Sequence, residues 1–217
     1  MSQTPQTPRT PPAVRPPRRR LARGEQRIAQ LLDAAAQEFA ESGYESATTN
    51  SIAARAGASP GTLYQFFPNK EAMAQALAER YLAELGVAFA FVGDPALAAE
   101  PVGALVDRVV DPVVAFTVAN PAFKAVFAGN ATPRHLAASS EELHSTVQGW
   151  MEAVVTAVAP GLPAERRRRA ATVAMHILRA MLPLLIQVGA RERGKLVKEF
   201  KAALRGYLEP LAAGPAA

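Results

Sequence analysis

Three helix starts and one glycine stop crowd into residues 48–70, leaving room for only two short helices and the head of a third. Thr48 can cap the first, since its hydroxyl accepts an otherwise orphan backbone N–H. Ile52, Ala53 and Ala56 give that helix a small apolar face. Gly57 follows, where helices commonly leave through a left-handed residue that glycine adopts at least cost. Ser59 caps the second helix, with Pro60 at its first position, where a missing N–H costs nothing. Leu63 and Phe67 are four apart and point inward, which turns Pro60, Gly61, Thr62, Tyr64 and Gln65 outward. A compact helix-turn-helix with a polar outer face has the shape that enters a DNA major groove.

The flanks read as helices too. Ile28, Leu31, Leu32, Ala35 and Phe39 share one face of a helix from about Glu25 to Glu41, which Gly43 ends. Pro68 stops the second short helix. Asn69 caps a longer one that runs to about Phe91 through Met73, Leu77, Tyr81, Leu85 and Phe89.

Ile52-Ala53, Ala56-Gly57, Ser59, Gly61, Leu63-Tyr64, Phe67 and Lys70-Glu71 stand at spacings that resemble the DNA-binding domain of the tetracycline-repressor (TetR) family, over about residues 25–86. The resemblance implies an all-α protein: an N-terminal three-helix helix-turn-helix domain followed by a C-terminal helical domain for effector binding and dimerisation. It implies a double-stranded DNA operator as partner, bound by a homodimer, and Ser59 through Gln65 as the groove-facing segment. Thr49 and Asn50 would meet phosphate or a base edge. Thr62 would meet bases, since its hydroxyl donates and accepts and its methyl suits thymine. Tyr64 would bind phosphate, Gln65 adenine, and Lys70 phosphate together with its helix N-terminus. Pro60 and Gly61 can equally serve as caps alone, and Phe66 can either touch bases or pack inside.

Charge divides the chain unevenly. Residues 1–23 hold six arginines and no acid, whereas residues 24–86 hold four basic and eight acidic residues. The DNA-reading part is therefore acidic and the leader carries the cations. Residues 1–20, rich in proline and arginine, read as a disordered basic arm. That arm is either an inert tail or a strand that follows DNA phosphates. The domain boundaries expected are 1–20 for the arm, 21–68 for the helix-turn-helix, 69–92 for a connecting helix and 93–217 for the remainder.

Beyond Gly93 the pattern stays helical. Pro112 interrupts an apolar stretch from Pro101 to Val118, so a kink or a two-part helix is expected. Asn120-Pro121 opens a short helix through Phe127, and Thr132-Pro133 opens a long one to about Ala159. Two more helices follow, at about 164–190 and 193–212. Their apolar stripes are Val173, Ile177, Met181, Leu184 and Val188 on one, and Leu196, Phe200 and Tyr207 on the other. These stripes read as a dimer surface, because one short recognition helix reads too few base pairs. A two-fold dimer presents two such helices about 34–36 Å apart. Phe116, Phe123, Phe127, Trp150, Met151 and Met175 either fill a core or line an effector pocket; family resemblance favours the pocket, for an apolar or aromatic effector.

Other chemistries find little support. The chain has no cysteine, which excludes a disulfide framework and thiol catalysis and suits the cytoplasm. His135, His144 and His176 are scattered singly, so no metal and no cofactor is expected. Asp107 and Asp111, four apart, read as a solvated face near Arg108 or as a carboxylate pair for a cation. Residues 173–190 are apolar but carry His176, Arg179, Pro183 and Gln187, which points to a buried helix and no membrane partner. A ligand-independent DNA-packaging protein and an enzyme with a vestigial helix-turn-helix remain the alternatives.

Overall fold

The computed structural model describes residues 17–123 and 137–213, and among them every regular element is helical. The N-terminal unit contains α1 (Pro17–Ser42), α2 (Thr49–Arg55) and α3 (Pro60–Tyr64). Then comes α4 (Lys70–Ala88), followed by two 3-10 turns at Ala90–Gly93 and Pro95–Ala99. The rest is α5 (Val102–Ala119), a single turn α6 (Pro121–Phe123), α7 (Ala137–Val158), α8 (Ala164–Gln187) and α9 (Ala190–Ala212).

The cap signals act as their chemistry dictates. Thr48 Oγ1 accepts from the Ser51 N–H, and Ser51 Oγ accepts in return from the Thr48 N–H. Each satisfies an orphan donor of the other. Gly57 has φ +60° and Gly43 φ +77°, the left-handed exits that glycine supplies without a Cβ penalty. Ser59 Oγ caps Thr62 N at 3.1 Å, and Asn69 Oδ1 caps Ala72 N at 2.8 Å.

Two cores form, and α4 serves both. Leu31, Phe39, Ile52, Leu63, Leu77 and Tyr81 belong to the N-terminal core. Phe89, at the far end of the same helix, joins Val110, Val155, Leu178 and Phe200 in the C-terminal one. Where they meet, Tyr81 packs edge-on against Phe116 and Phe123, with centroids 5.6 and 5.7 Å away.

Several expectations need correction. The helix expected from Glu25 begins at Pro17, so residues 17–20 are helical and not part of a disordered arm. Proline at a helix start loses no bond, and no further proline follows before Ser42. Ile28, expected on the buried face, is 37% exposed, whereas Leu31 and Phe39 are fully buried. The recognition helix ends at Tyr64 with Gln65 as its C-cap, short of Pro68. Pro112 lies inside an unbroken α5. Burial of Val109, Val110 and Val113 around it offsets the single backbone bond it removes. The helix expected through Phe127, and its successor's start at Thr132-Pro133, lie outside the described residues.

Candidate nucleic-acid interface and ligand cavity

The α2–turn–α3 pair turns its apolar side to the core through Ile52, Ala53 and Leu63, all without solvent exposure. Asn50, Ser59, Pro60, Gly61, Tyr64 and Gln65 are exposed on the opposite side, with Thr49 and Thr62 half-buried beside them. Tyr64 is 52% exposed although its ring belongs to a large side chain. Its hydroxyl lies 2.9 Å from Thr49 Oγ1, a hydrogen bond that ties the start of α2 to the end of α3. The Thr62 hydroxyl lies 2.9 Å from Ser59 Oγ. Phe66 packs partly against the N-terminal core.

Lys70 occupies a different position from the one expected of a phosphate ligand. Its Nζ donates to the carbonyls of Tyr44, Glu45 and Ala47 at 2.9, 3.1 and 3.2 Å and sits over the Tyr44 ring. Three carbonyls exhaust the donors of an ammonium. The residue fastens the loop between α1 and α2 to the head of α4.

Other cations of this unit are also committed inward. Arg55 Nε donates to Glu38 at 3.0 Å, and its two terminal nitrogens grip Glu41 at 3.0 and 2.5 Å. Hydrogen bonding from Ser51, aided by Arg55, holds the Glu38 carboxyl below its ordinary value despite burial. Arg80 pairs with Asp33 at 2.7 Å, tying α4 to α1. Of the four basic residues between 24 and 86, that leaves Arg27 without such a partner among the described residues. Arg23, four residues before it on α1, is exposed.

A second feature lies between the helices of the C-terminal half: a cavity of about 370 Å³. Phe116, Phe123, Trp150, Met151 and Met175 line it, and Phe127 lies outside the described residues. Trp150 stacks on Phe89 with centroids 5.2 Å apart and planes 12° apart. The sequence reading missed Leu85, Phe89 and Leu182, which are ordinary core positions by spacing. It also missed Arg179, which had been read only as a mark against a membrane span.

The stripes read as a dimer surface separate into two kinds. On α8, Val173 and Leu184 are 42% and 49% exposed, with Ile177, Met181 and Val188 half-buried. On α9, Leu196 and Tyr207 are half-buried, but Phe200 is 1% exposed and belongs to the core with Leu204 and Leu208. Phe200 is therefore a packing residue of the single chain. Its helix turns that face inward against α5 and α8.

Asp107 and Asp111 are likewise neither a free cation site nor a bare solvated face. Lys201 of α9 reaches both, at 3.1 and 2.6 Å, and Arg205 adds a 2.7 Å bond to Asp107. Hydrogen bonding from Lys201 lowers the Asp107 carboxyl. Burial presses the Lys201 ammonium down, but the bonds to Asp111 and Asp107 outweigh it and raise it. Arg108, expected beside them, pairs with Glu100 and covers the Phe91 ring instead. Arg167, one of four consecutive arginines at residues 166–169, donates to the carbonyl of Leu162 at 2.8 Å, closing the α7–α8 turn.

Comparison with known proteins agrees with this architecture. Residues 31–77 match the family profile described as bacterial regulatory proteins, tetR family. Residues 101–208 match the tetracyclin repressor-like C-terminal domain. A TetR-family transcriptional regulator from Streptomyces coelicolor is 24% identical, with 85% of this chain and 99% of that one aligned and a TM-score of 0.57. FadR from Bacillus subtilis, solved with stearoyl-CoA, is 18% identical over 87% of this chain and 99% of that one, TM-score 0.61. NalD, the secondary repressor of the MexAB-OprM multidrug efflux pump in Pseudomonas aeruginosa, is 17% identical over 89% and 97%, TM-score 0.61. No curated protein sequence is matched.

Proposed function

Since the chain belongs to the tetR family of bacterial transcriptional regulators, we propose that it binds a palindromic DNA operator as a homodimer and leaves it when a small molecule enters the C-terminal cavity. The observation that carries the DNA-reading part is the exposed row of Asn50, Gly61, Tyr64 and Gln65 on two helices whose inner sides are fully locked. Such a rigid platform holds its donors and acceptors at fixed positions, which base-edge readout requires. Thr62 acts at the start of the recognition helix, and Thr49 and Tyr64 present a linked pair of hydroxyls to the backbone.

The dimer forms through the exposed face of α8, with Val173 and Leu184 at its centre and α9 beside it. Repression follows from occupancy of the operator, in the cytoplasm where the chromosome lies. Ligand entry acts on Phe116 and Phe123, which touch both the cavity and Tyr81 of α4. A shift of α4 changes the separation of the two recognition helices, so ligand and DNA weaken each other by one common factor. Because Arg55, Lys70 and Arg80 are held by protein groups, phosphate neutralisation falls on Arg23, Arg27 and the basic leader before them.

Footprinting on the DNA upstream of the protein's own gene and its neighbours tests this reading. A discrete two-fold footprint is expected, with Thr62→Ala relaxing one base position at a loss of about 1–3 kcal/mol. Uniform coating of the DNA would instead indicate a packaging protein.

A further inference from the structure

The polar groups of the cavity come mainly from α7 and α8, and most are already committed. Gln148 Nε2 donates to Thr172 Oγ1 at 3.3 Å, and Ser145 Oγ donates to the Glu142 carbonyl at 3.0 Å. Thr117 Oγ1 donates to the Val113 carbonyl at 2.7 Å. His176 Nδ1 donates to the Thr172 carbonyl at 2.8 Å, which leaves Nε2 as its only free nitrogen. Glu141 lines the cavity but is exposed, and it forms no ion pair with Arg179.

Arg179 differs from all of these. It is half-buried, it lines the cavity, and it makes no hydrogen bond or ion pair with any described residue. On α8 it stands three residues after His176 and four after Met175, so the three share one side of the helix. A guanidinium carries five donors in a planar fork. Partial burial strips water from them without supplying an acceptor, which is costly until an anion arrives. Much of the remaining lining is apolar, with Phe89, Phe116 and Met151 among it.

We propose that the cavity takes an amphipathic oxyanion, with an apolar body against Phe89, Phe116 and Met151 and a compact anionic head on Arg179. The head is a carboxylate or a phosphate, both of which accept two parallel N–H bonds from one guanidinium. His176, three residues before Arg179 on the same helix, also lines the cavity beside the head. The proposal rests on the effector reading above and narrows it from an apolar ligand to an apolar acid.

Displacement of the neutral dye Nile red from the full-length protein tests it. The competitors are decanoate, decyl phosphate and decanol, each added to wild type, Arg179→Gln and Arg179→Lys. An acid should compete at least roughly tenfold better than decanol on wild type, and Arg179→Gln should erase that advantage while leaving decanol unchanged. Arg179→Lys should recover part of it, since it keeps the charge and loses the fork. The ratio of decanoate to decyl phosphate identifies the head. Equal competition by acid and alcohol, or an acid advantage that survives in Arg179→Gln, overturns the proposal while the cavity reading stands. Failure of Nile red to bind wild type overturns both. Unchanged dye binding by the variants shows that they fold.

Discussion

The two halves of the chain hold their helices with partners at very different distances in sequence. In the N-terminal unit Ser59 caps Thr62 three residues away, Arg55 reaches Glu38 across 17, and Lys70 reaches Tyr44 across 26. In the bundle, Arg205 must find Asp107 across 98 residues. Prolines also differ: Pro60 sits at a helix start, whereas Pro112, Pro183 and Pro210 lie inside helices. The first unit takes its caps and turns from neighbours in sequence, and even its Arg80–Asp33 pair spans only 47 residues. The second is held by packing between distant segments, which also leaves room for a cavity. A DNA-reading platform benefits from local rigidity, while a ligand-responsive half needs helices that can repack.

The sharpest test of that contrast uses α8 and α9. Phe200→Ala removes a fully buried ring from the bundle and should cost about 3–5 kcal/mol in urea unfolding. Val173→Glu with Leu184→Glu changes exposed positions and should leave the helical circular dichroism intact. In the proposed dimer those carboxylates are buried unpaired, so sedimentation should show monomers. A stable Phe200→Ala protein, or an undisturbed dimer with both glutamates, would reverse the assignment of the two faces.

Lys70→Ala probes the N-terminal unit. Losing an ammonium from three carbonyls should destabilise that unit by about 1.5–3 kcal/mol. The dependence of operator affinity on salt should stay as it was. If Lys70 neutralises a phosphate instead, the slope of log affinity against log salt becomes shallower by about 0.9 for each subunit.

The smallest effect is expected in acid. Glu38 has a folded-state carboxyl lowered from its ordinary value of 4.5, so its contribution is complete above that value and is lost as pH falls through the folded-state value. The melting temperature of wild type should therefore fall below about pH 4.5, and Glu38→Gln should flatten that decline. An equally steep decline in Glu38→Gln would assign acid sensitivity elsewhere, with Asp107 the next group to examine, since it too is lowered.

Caps, the glycine exits and the inward face of α2 and α3 were legible because each depends on residues within one or two turns. Phe116, Phe123, Trp150, Met151 and Met175, read as core or pocket, do border the cavity, since large apolar side chains at helical spacing must go somewhere central. The carbonyl contacts of Lys70 were not legible, because its three partners lie in a loop that no periodicity marks. Phe200 was misread because a stripe on a helix has the same spacing whether its cover comes from the same chain or from a second copy.

The sequence alone determined the helical class, the helix-turn-helix and its outward face, because backbone conformational preference and capping act over a few residues. Tertiary structure decided which charges remain available: Arg55, Lys70 and Arg80 are spent on neighbouring protein groups, and Arg179 stands at a cavity with no partner among the described residues. The reason is physical. Electrostatic partners and enclosed volume depend on distance in space, and a linear pattern specifies that distance only within a single helix.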